Sequence, residues 1–190
     1  MADKDKNEKN EGLVQRLLDM RTVLIAGEIN QKVAQQVMAQ LLVLDGQSND
    51  PIRMVVSSPG GHVESGFAIY DFMRFVKSPI TAVGAGWVAS IAVPIMFGAK
   101  KERRVSLPNT RFLIHQPWMG GGGGPASDIG IIAEEMIKLR DRLNQMIADE
   151  TGQDLEKVAK DSDRDYWMTA EQAVEYGLIS RVVAQAGELD

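Results

Sequence analysis

The sequence predicts an α/β fold built on a largely parallel sheet. Short runs rich in Val, Ile and Leu alternate with longer segments of helical period, the pattern of repeated strand–helix units. The connections between them are short and carry Gly, Pro, Asn and Asp. At 190 residues the chain has the size of one domain, and roughly 70% of the unfolded surface of such a chain can be buried without disulfides or metals.

Val14 to Met20 reads as a short helix or helical turn, and Thr22 to Ala26 (TVLIA) as a buried strand. Asn30 is placed to cap a helix over Gln31 to Leu44, where Val33, Val37, Leu41 and Leu44 recur at helical spacing. DGQSNDP then reads as a turn and Ile52 to Val56 as a second strand. SSPGGHVESG is a glycine-rich turn opening a helix through Gly66 to Val76. Ile80 to Val83 is a third strand, followed by GAG and a helix from about Ser90. Val105 and Leu107 mark a short strand, Arg111 to Ile114 another, and MGGGGGP a flexible or extended connector.

Asp128 to Thr151 is the longest expected helix, with Ile129, Ile132, Met136, Leu139, Leu143 and Met146 on one side. The other elements are too short to cover it, and an apolar stripe on a projecting helix points to a partner surface. Thr169 to Tyr176 is a helix stopped by Gly177, and Leu178 to Val183 is a last strand.

Composition narrows the chemistry. There is no cysteine, so disulfides, thiolate metal sites and Cys nucleophiles are excluded, and a reducing compartment fits. Only two histidines occur, His62 and His115, too few for a His-rich metal site. The net charge of -5 argues against nucleic acid as the main partner. MADKDKNEKNEG has no apolar core for a secretory signal and reads as a mobile arm over residues 1–12. Ser78 to Ala99 carries no charge over 22 residues, long enough to span a bilayer. Its prolines and glycines (Pro79, Gly84, Gly86, Pro94, Gly98) fit a strand, a turn and a buried helix better. A cytoplasmic protein without membrane contact is the expectation.

Four segments could carry chemistry. SSPGG (Ser57 to Gly61) joins a strand to a helix, where glycines allow close approach and helix-start amides can stabilise an anion. It matches no nucleotide-binding motif; the other candidate anion is a substrate oxyanion. GAGWVASIA puts Ser90 near the start of an apolar helix after a glycine turn, the logic of a nucleophile elbow without a G-x-S-x-G match. RFLIHQP puts His115 at a strand end, where an imidazole can serve as a general base; His62, beside the first glycine turn, is its rival. DSDRD offers Asp161, Asp163 and Asp165, one of which could orient an imidazole. The pattern alone does not choose among them.

Taken together, SPGG, GxxAS, LPNTRFLIHQP, ASDI, LNQMIADETGQ and DRDYWMTAEQAVEYGLI resemble the Clp-type serine peptidases, the ClpP family, from about Leu13 to Val183. His115 follows Ser90 by 25 positions, as in that family. Asp165 follows His115 by 50, one more than in many members, and the glycine run accommodates the extra residue. The resemblance implies Ser90 as nucleophile, His115 as base and Asp165 as the third triad member, with the amides of Gly61 and Ile91 forming the oxyanion hole.

It further implies a superhelix of β-β-α turns, shared with crotonases. One peptidase domain over residues 13–190 would include a projecting handle at about 118–151. Gly120, Gly121, Gly122, Gly123 and Gly124 would line the substrate groove. The implied assembly is a homo-oligomer of two stacked sevenfold rings enclosing the active sites, with unfolded polypeptides or peptides as substrates. The chain itself would need no metal or other cofactor; ATP hydrolysis would belong to a separate AAA+ unfoldase.

Departures from the family pattern bear on partners. Arg53 and Val55 stand where familiar members carry tyrosines of the unfoldase-docking cleft, a charged arm replaces the usual N-terminal gate, and Trp87 lies three residues before Ser90. Two other readings are therefore carried forward: a conditionally active or scaffolding subunit that needs a ClpP paralogue, and a crotonase-type acyl-CoA enzyme. The second leaves the Ser90, His115 and Asp165 spacing unexplained.

Overall fold

The computed structural model describes residues 12–118 and 126–189. The elements are a helix at 12–19 (α1), β1 (Thr22–Ala26), α2 (Gln31–Gln47), β2 (Ile52–Ser58), α3 (Val63–Phe75), β3 (Ile80–Ala89) and α4 (Ala92–Met96). They continue with β4 (Arg104–Ser106), β5 (Arg111–Ile114), α5 (Ala126–Thr151), α6 (Leu155–Asp161), β6 (Tyr166–Met168), α7 (Ala170–Tyr176) and β7 (Arg181–Val182).

β1, β2, β3, β4 and β7 pair in that order, all parallel. β3 is the branching strand. Its first half pairs with β4 at Ala82 to Gly84, and its second half pairs with β5 at Trp87 to Ala89. The switch falls at Gly84 to Gly86, where the β2–β3 register slips and Gly86 takes φ +65°. The Gly84 carbonyl stays in the β3–β4 ladder, accepting from the Leu107 amide, and also accepts from Thr110 Oγ1. β6 then adds antiparallel to β5. The result is a sheet that turns on itself, with helices laid against it, an α/β spiral of β-β-α units.

The core lies between this sheet and the helices. Val23, Ile25, Met54 and Val56 from the strands meet Val37, Leu41 and Leu44 of α2 and Phe67, Ile69 and Met73 of α3. Burial of each such side chain contributes about 1.5–3 kcal/mol. Asn30 caps α2, its Oδ1 accepting from the Val33 amide at 3.0 Å. Thr169 and Gln172 form a capping box on α7, and Gly177 ends it with φ +94°.

Several boundaries differ from the sequence expectation. α2 runs through Asp45, Gly46 and Gln47, read above as a turn. Asp45 has a tertiary reason to stay helical: Oδ1 accepts from the amides of Lys77 and Ser78 and from Ser78 Oγ. α3 begins at Val63, not Gly66, because His62 caps it. β3 continues to Ala89 through the glycines taken for a turn, since both of its edges are paired. The last strand shrinks to Arg181–Val182, the part that reaches β4. α6 and β6 were not foreseen; each is short and carries little periodicity.

α5 has two environments. Its C-terminal part is buried at Leu143, Ile147 and Ala148, while Ile129, Ile131 and Ile137 are half or more exposed. The buried end is tied down by Glu150, which accepts from Arg104 and from Arg74. Arg104 is 2% exposed; it also donates to the carbonyls of Ala99 and Phe97 and lies over the Phe97 ring. Among the described residues no helix is long and apolar enough to cross a membrane, and the uncharged stretch is β3 and α4. The arm at 1–11 and the connector Gly120, Gly121, Gly122, Gly123 and Gly124 lie outside the described residues.

Candidate active site

Ser90 sits where β3 hands over to α4, in the left-handed region at φ +57°. A non-glycine residue there costs on the order of 1–2 kcal/mol. The turn is held by the Ser90 amide, which donates to Leu113 of β5, and by the Ser90 carbonyl, which accepts from Val93. Pro94 follows in the first turn of α4, where its missing donor is tolerated.

The glycine turn after β2 packs onto this elbow. The Gly60 amide donates to Ser58 Oγ, and Gly60 and Gly61 take φ +97° and +145°. A parallel bridge joins Gly61 to Ile29, with the Ile29 amide donating to Gly60 and the His62 amide donating to Ile29. A side chain on Gly61 would overlap the Ile29 carbonyl. Among the described residues, neither the Gly61 amide nor the Ile91 amide has a hydrogen-bond acceptor. Both are free to receive an oxygen.

His115 and Asp165 meet through strand register. In the antiparallel β5–β6 pair Ile114 stands opposite Tyr166, so the next residues along, His115 and Asp165, face one another. Their His115 Nδ1 to Asp165 Oδ1 distance is 3.2 Å. Gln116 holds the two chains together beyond them, its amide donating to Ser162 and its Nε2 donating to the Asp163 carbonyl. The same register logic puts Ser90 beside Ile114 across β3–β5. Ser90 and His115 line one groove with Ile91, Pro94, Ile114 and Leu143. No hydrogen bond joins Ser90 Oγ to His115 among the described residues, and the Asp165 side chain is 64% exposed.

The rival candidates have other partners. His62 caps α3: Nδ1 accepts from the Ser65 amide and lies 2.8 Å from Ser65 Oγ. Asp161 binds Lys157 and the Tyr176 hydroxyl; that contact, after burial, holds the Tyr176 phenol well above its ordinary pKa. Among the described residues the Asp163 carboxylate has only Arg164 within ion-pair range, at 3.9 Å. Trp87 does not line the groove; its ring packs edge-on against Trp167, over which Arg111 lies. The apolar wall from Val63, Pro94, Leu143 and Ile147 was not read from the sequence. It joins residues of three helices that no local pattern connects. Gln116 was also missed, although it stands inside the IHQP motif.

The fold and this groove define an α/β peptidase-like architecture, with a strand-end serine, an imidazole and two free amides gathered at one edge of a branched parallel sheet. The family model described as Clp protease matches residues 5–186, and the chain belongs to that family. It is 57% identical over 176 residues to the ATP-dependent Clp protease proteolytic subunit 2 of Gluconobacter oxydans, covering 92% of this chain and 78% of the relative. It is 48% identical to the ATP-dependent Clp protease proteolytic subunit 3 of Rhizobium johnstonii over the whole of both chains. A solved ClpP1 mutant from Listeria monocytogenes superposes with TM-score 0.86 at 47% identity, over 94% of this chain and 99% of that one.

Proposed function

We propose that this serine peptidase cuts peptide bonds through Ser90, His115 and Asp165, with the Gly61 and Ile91 amides as oxyanion hole. The observation that carries the reading is the His115–Asp165 pair facing the groove that also holds the strained Ser90. Ser90 Oγ attacks the carbonyl carbon while His115 Nε2 accepts its proton. Asp165 on Nδ1 fixes the tautomer and balances the imidazolium charge. The carbonyl oxygen becomes an oxyanion, met by two amides that have no other acceptor among the described residues. His115 returns the proton to the leaving amine, and water, activated by the same imidazole, releases the acyl group. The open Ser90–His115 contact has to close for the relay to run; such contacts commonly tighten only with substrate bound.

The substrates are unfolded polypeptides or peptides held extended in the groove, with the Gly120 to Gly124 run beside them. The exposed apolar half of α5 supports assembly with further copies of the chain, in two stacked sevenfold rings that enclose the active sites, in the cytoplasm. Native mass spectrometry with and without a fluorophosphonate probe tests both parts. A large oligomer gaining one probe per chain at Ser90 is expected. An unlabelled oligomer refutes the catalytic reading.

The second reading, a subunit that becomes active only with a paralogue, draws on the same open contact and on the exposure of Asp165. In that case labelling would appear only after mixing with a related subunit.

A further inference from the structure

The two amides assigned to the oxyanion hole come from distant parts of the chain, and one helix meets both. Gly61 stands one residue before His62, the cap of α3, and its backbone is fixed by the bridge to Ile29. Ile91 stands at the cap of α4, 2% exposed, with its side chain packed against α3.

That packing is made at Gly66. A Cβ built there would overlap Cγ1 of Ile91 and stand 3.0 Å from its Cδ1 and 3.3 Å from its Cβ. The backbone does not ask for glycine at this position. Gly66 lies inside α3, its amide donates to the His62 carbonyl at 3.1 Å, and its φ is not positive. Within a helix glycine is less favourable than alanine; what its missing side chain provides here is the close approach of Ile91.

A second seat of the same kind lies two turns further on. Met73 follows Gly66 by seven residues, on the same face of α3. A Cβ on Gly98, seven residues past Ile91, would stand 2.8 Å from both Cβ and Sδ of Met73. α3 and residues 91–98 therefore run side by side in one direction, seated at both ends through a glycine. Between the seats Ile69 and Ile95 are fully buried. Ile91 is β-branched, so its side chain has little freedom to turn aside in so dense a contact.

We propose that Gly66 is a positioning residue for the oxyanion hole. Gly61 is tied to α3 through the chain and Ile91 is seated on α3 through Gly66, so this helix sets the separation of the two amides. Gly66 meets no substrate and acts through Ile91. A side chain at Gly66 pushes Ile91 off the helix and turns its amide away from an oxygen that is fully charged only in the transition state. The inference rests on the catalytic reading of Ser90, Gly61 and Ile91.

The test follows hydrolysis of a small fluorogenic peptide by the full-length chain, with Gly66→Ala made in the parent and again in Ile91→Ala. In the parent, kcat should fall about tenfold or more with KM within about twofold, the pattern of an interaction made only in the transition state. In Ile91→Ala, where Cγ1 is gone, the same change should cost less than about threefold. Urea midpoints should follow: Gly66→Ala lowers the midpoint of the parent and leaves that of Ile91→Ala in place. Where the single variant does not fold, the double variant decides, by its midpoint and turnover relative to Ile91→Ala. An unchanged kcat for Gly66→Ala, a rise in KM alone, or an equal loss in both backgrounds overturns the proposal. Ser90→Ala is the separate control. If it abolishes hydrolysis that the parent shows, the catalytic reading stands and the Gly66 result decides this inference alone. Hydrolysis that survives Ser90→Ala, or none by the parent, overturns the catalytic reading and this inference with it.

Discussion

A Cβ built on Gly60 would stand 2.6 Å from the Cβ of Ser90 and 2.8 Å from the Ala89 carbonyl. Two turns at the ends of adjacent parallel strands are therefore packed to contact, and glycine is the only residue that fits between them.

Gly60→Ala tests that packing. The new methyl group meets backbone, and φ +97° is itself unfavourable for alanine by about 1–2 kcal/mol. The elbow must shift. Fluorophosphonate labelling of Ser90 is expected to slow by about tenfold or more, since misplacement of a reacting atom by about 1 Å has that scale of effect. Circular dichroism should stay close to that of the parent. Unchanged labelling would mean the turn yields without moving the serine.

The triad is tested by comparing the two histidines. Ser90→Ala and His115→Ala should each lower peptidase turnover by a factor on the order of a thousand to a million. Asp165→Asn should leave the fold intact and lose the tautomer that Nδ1 requires. His62→Ala removes a helix cap and should cost about 1 kcal/mol of stability, with mild effect on turnover. Activity that survives His115→Ala and vanishes with His62→Ala reverses the assignment of the base.

Assembly is expected to depend on the exposed half of α5. Ile132 and Met136 lie with Glu64 and Arg142 around a shallow apolar depression. Ile132→Asp together with Met136→Asp would bury unpaired charge in any contact made there, which is strongly destabilising. Sedimentation should show single rings or smaller species. A double ring that persists would place the contact elsewhere.

Asp45 is expected to make stability depend on acid. Its carboxyl is held below the ordinary 3.8, chiefly by the Ser78 amide, with the Ser78 hydroxyl and the Lys77 amide adding to it. Because the folded pKa is the lower one, this contribution is present above the ordinary carboxylate range. It fades as pH falls below about 4 and through the lowered folded value. Urea midpoints measured across that window should fall less steeply for Asp45→Asn than for the parent. Parallel slopes would rule this group out.

Glu150 is expected to secure the base of the projecting helix. Glu150→Ala leaves the buried Arg104 guanidinium without its carboxylate, a loss of about 3 kcal/mol or more. A lowered urea midpoint with an unchanged slope on denaturant is the expected signature; a change under about 0.5 kcal/mol, the size of an ordinary surface substitution, would show that the two backbone carbonyls alone satisfy Arg104.

The sequence by itself determined the elements whose burial is local and periodic. TVLIA, the Val37–Leu41–Leu44 face, the Asn30 cap and the Gly177 stop each carry their cause within a few residues, and the structure has them there. The resemblance to the Clp peptidases rested on motifs of the same local kind, and the family comparison agrees with it. What only the tertiary structure decided involves residues far apart in the chain. β3 runs on through Gly84 and Gly86 because two different strands pair with its two halves. Local pattern left Asp161, Asp163 and Asp165 alike and only the family motif pointed to Asp165; its contact with His115 comes from antiparallel register with β5, while Asp161 is taken by Lys157 and Tyr176. Local patterns record the face a residue shows to its own element; which distant residue it meets is set by strand order and register, and those are settled only when the whole core packs.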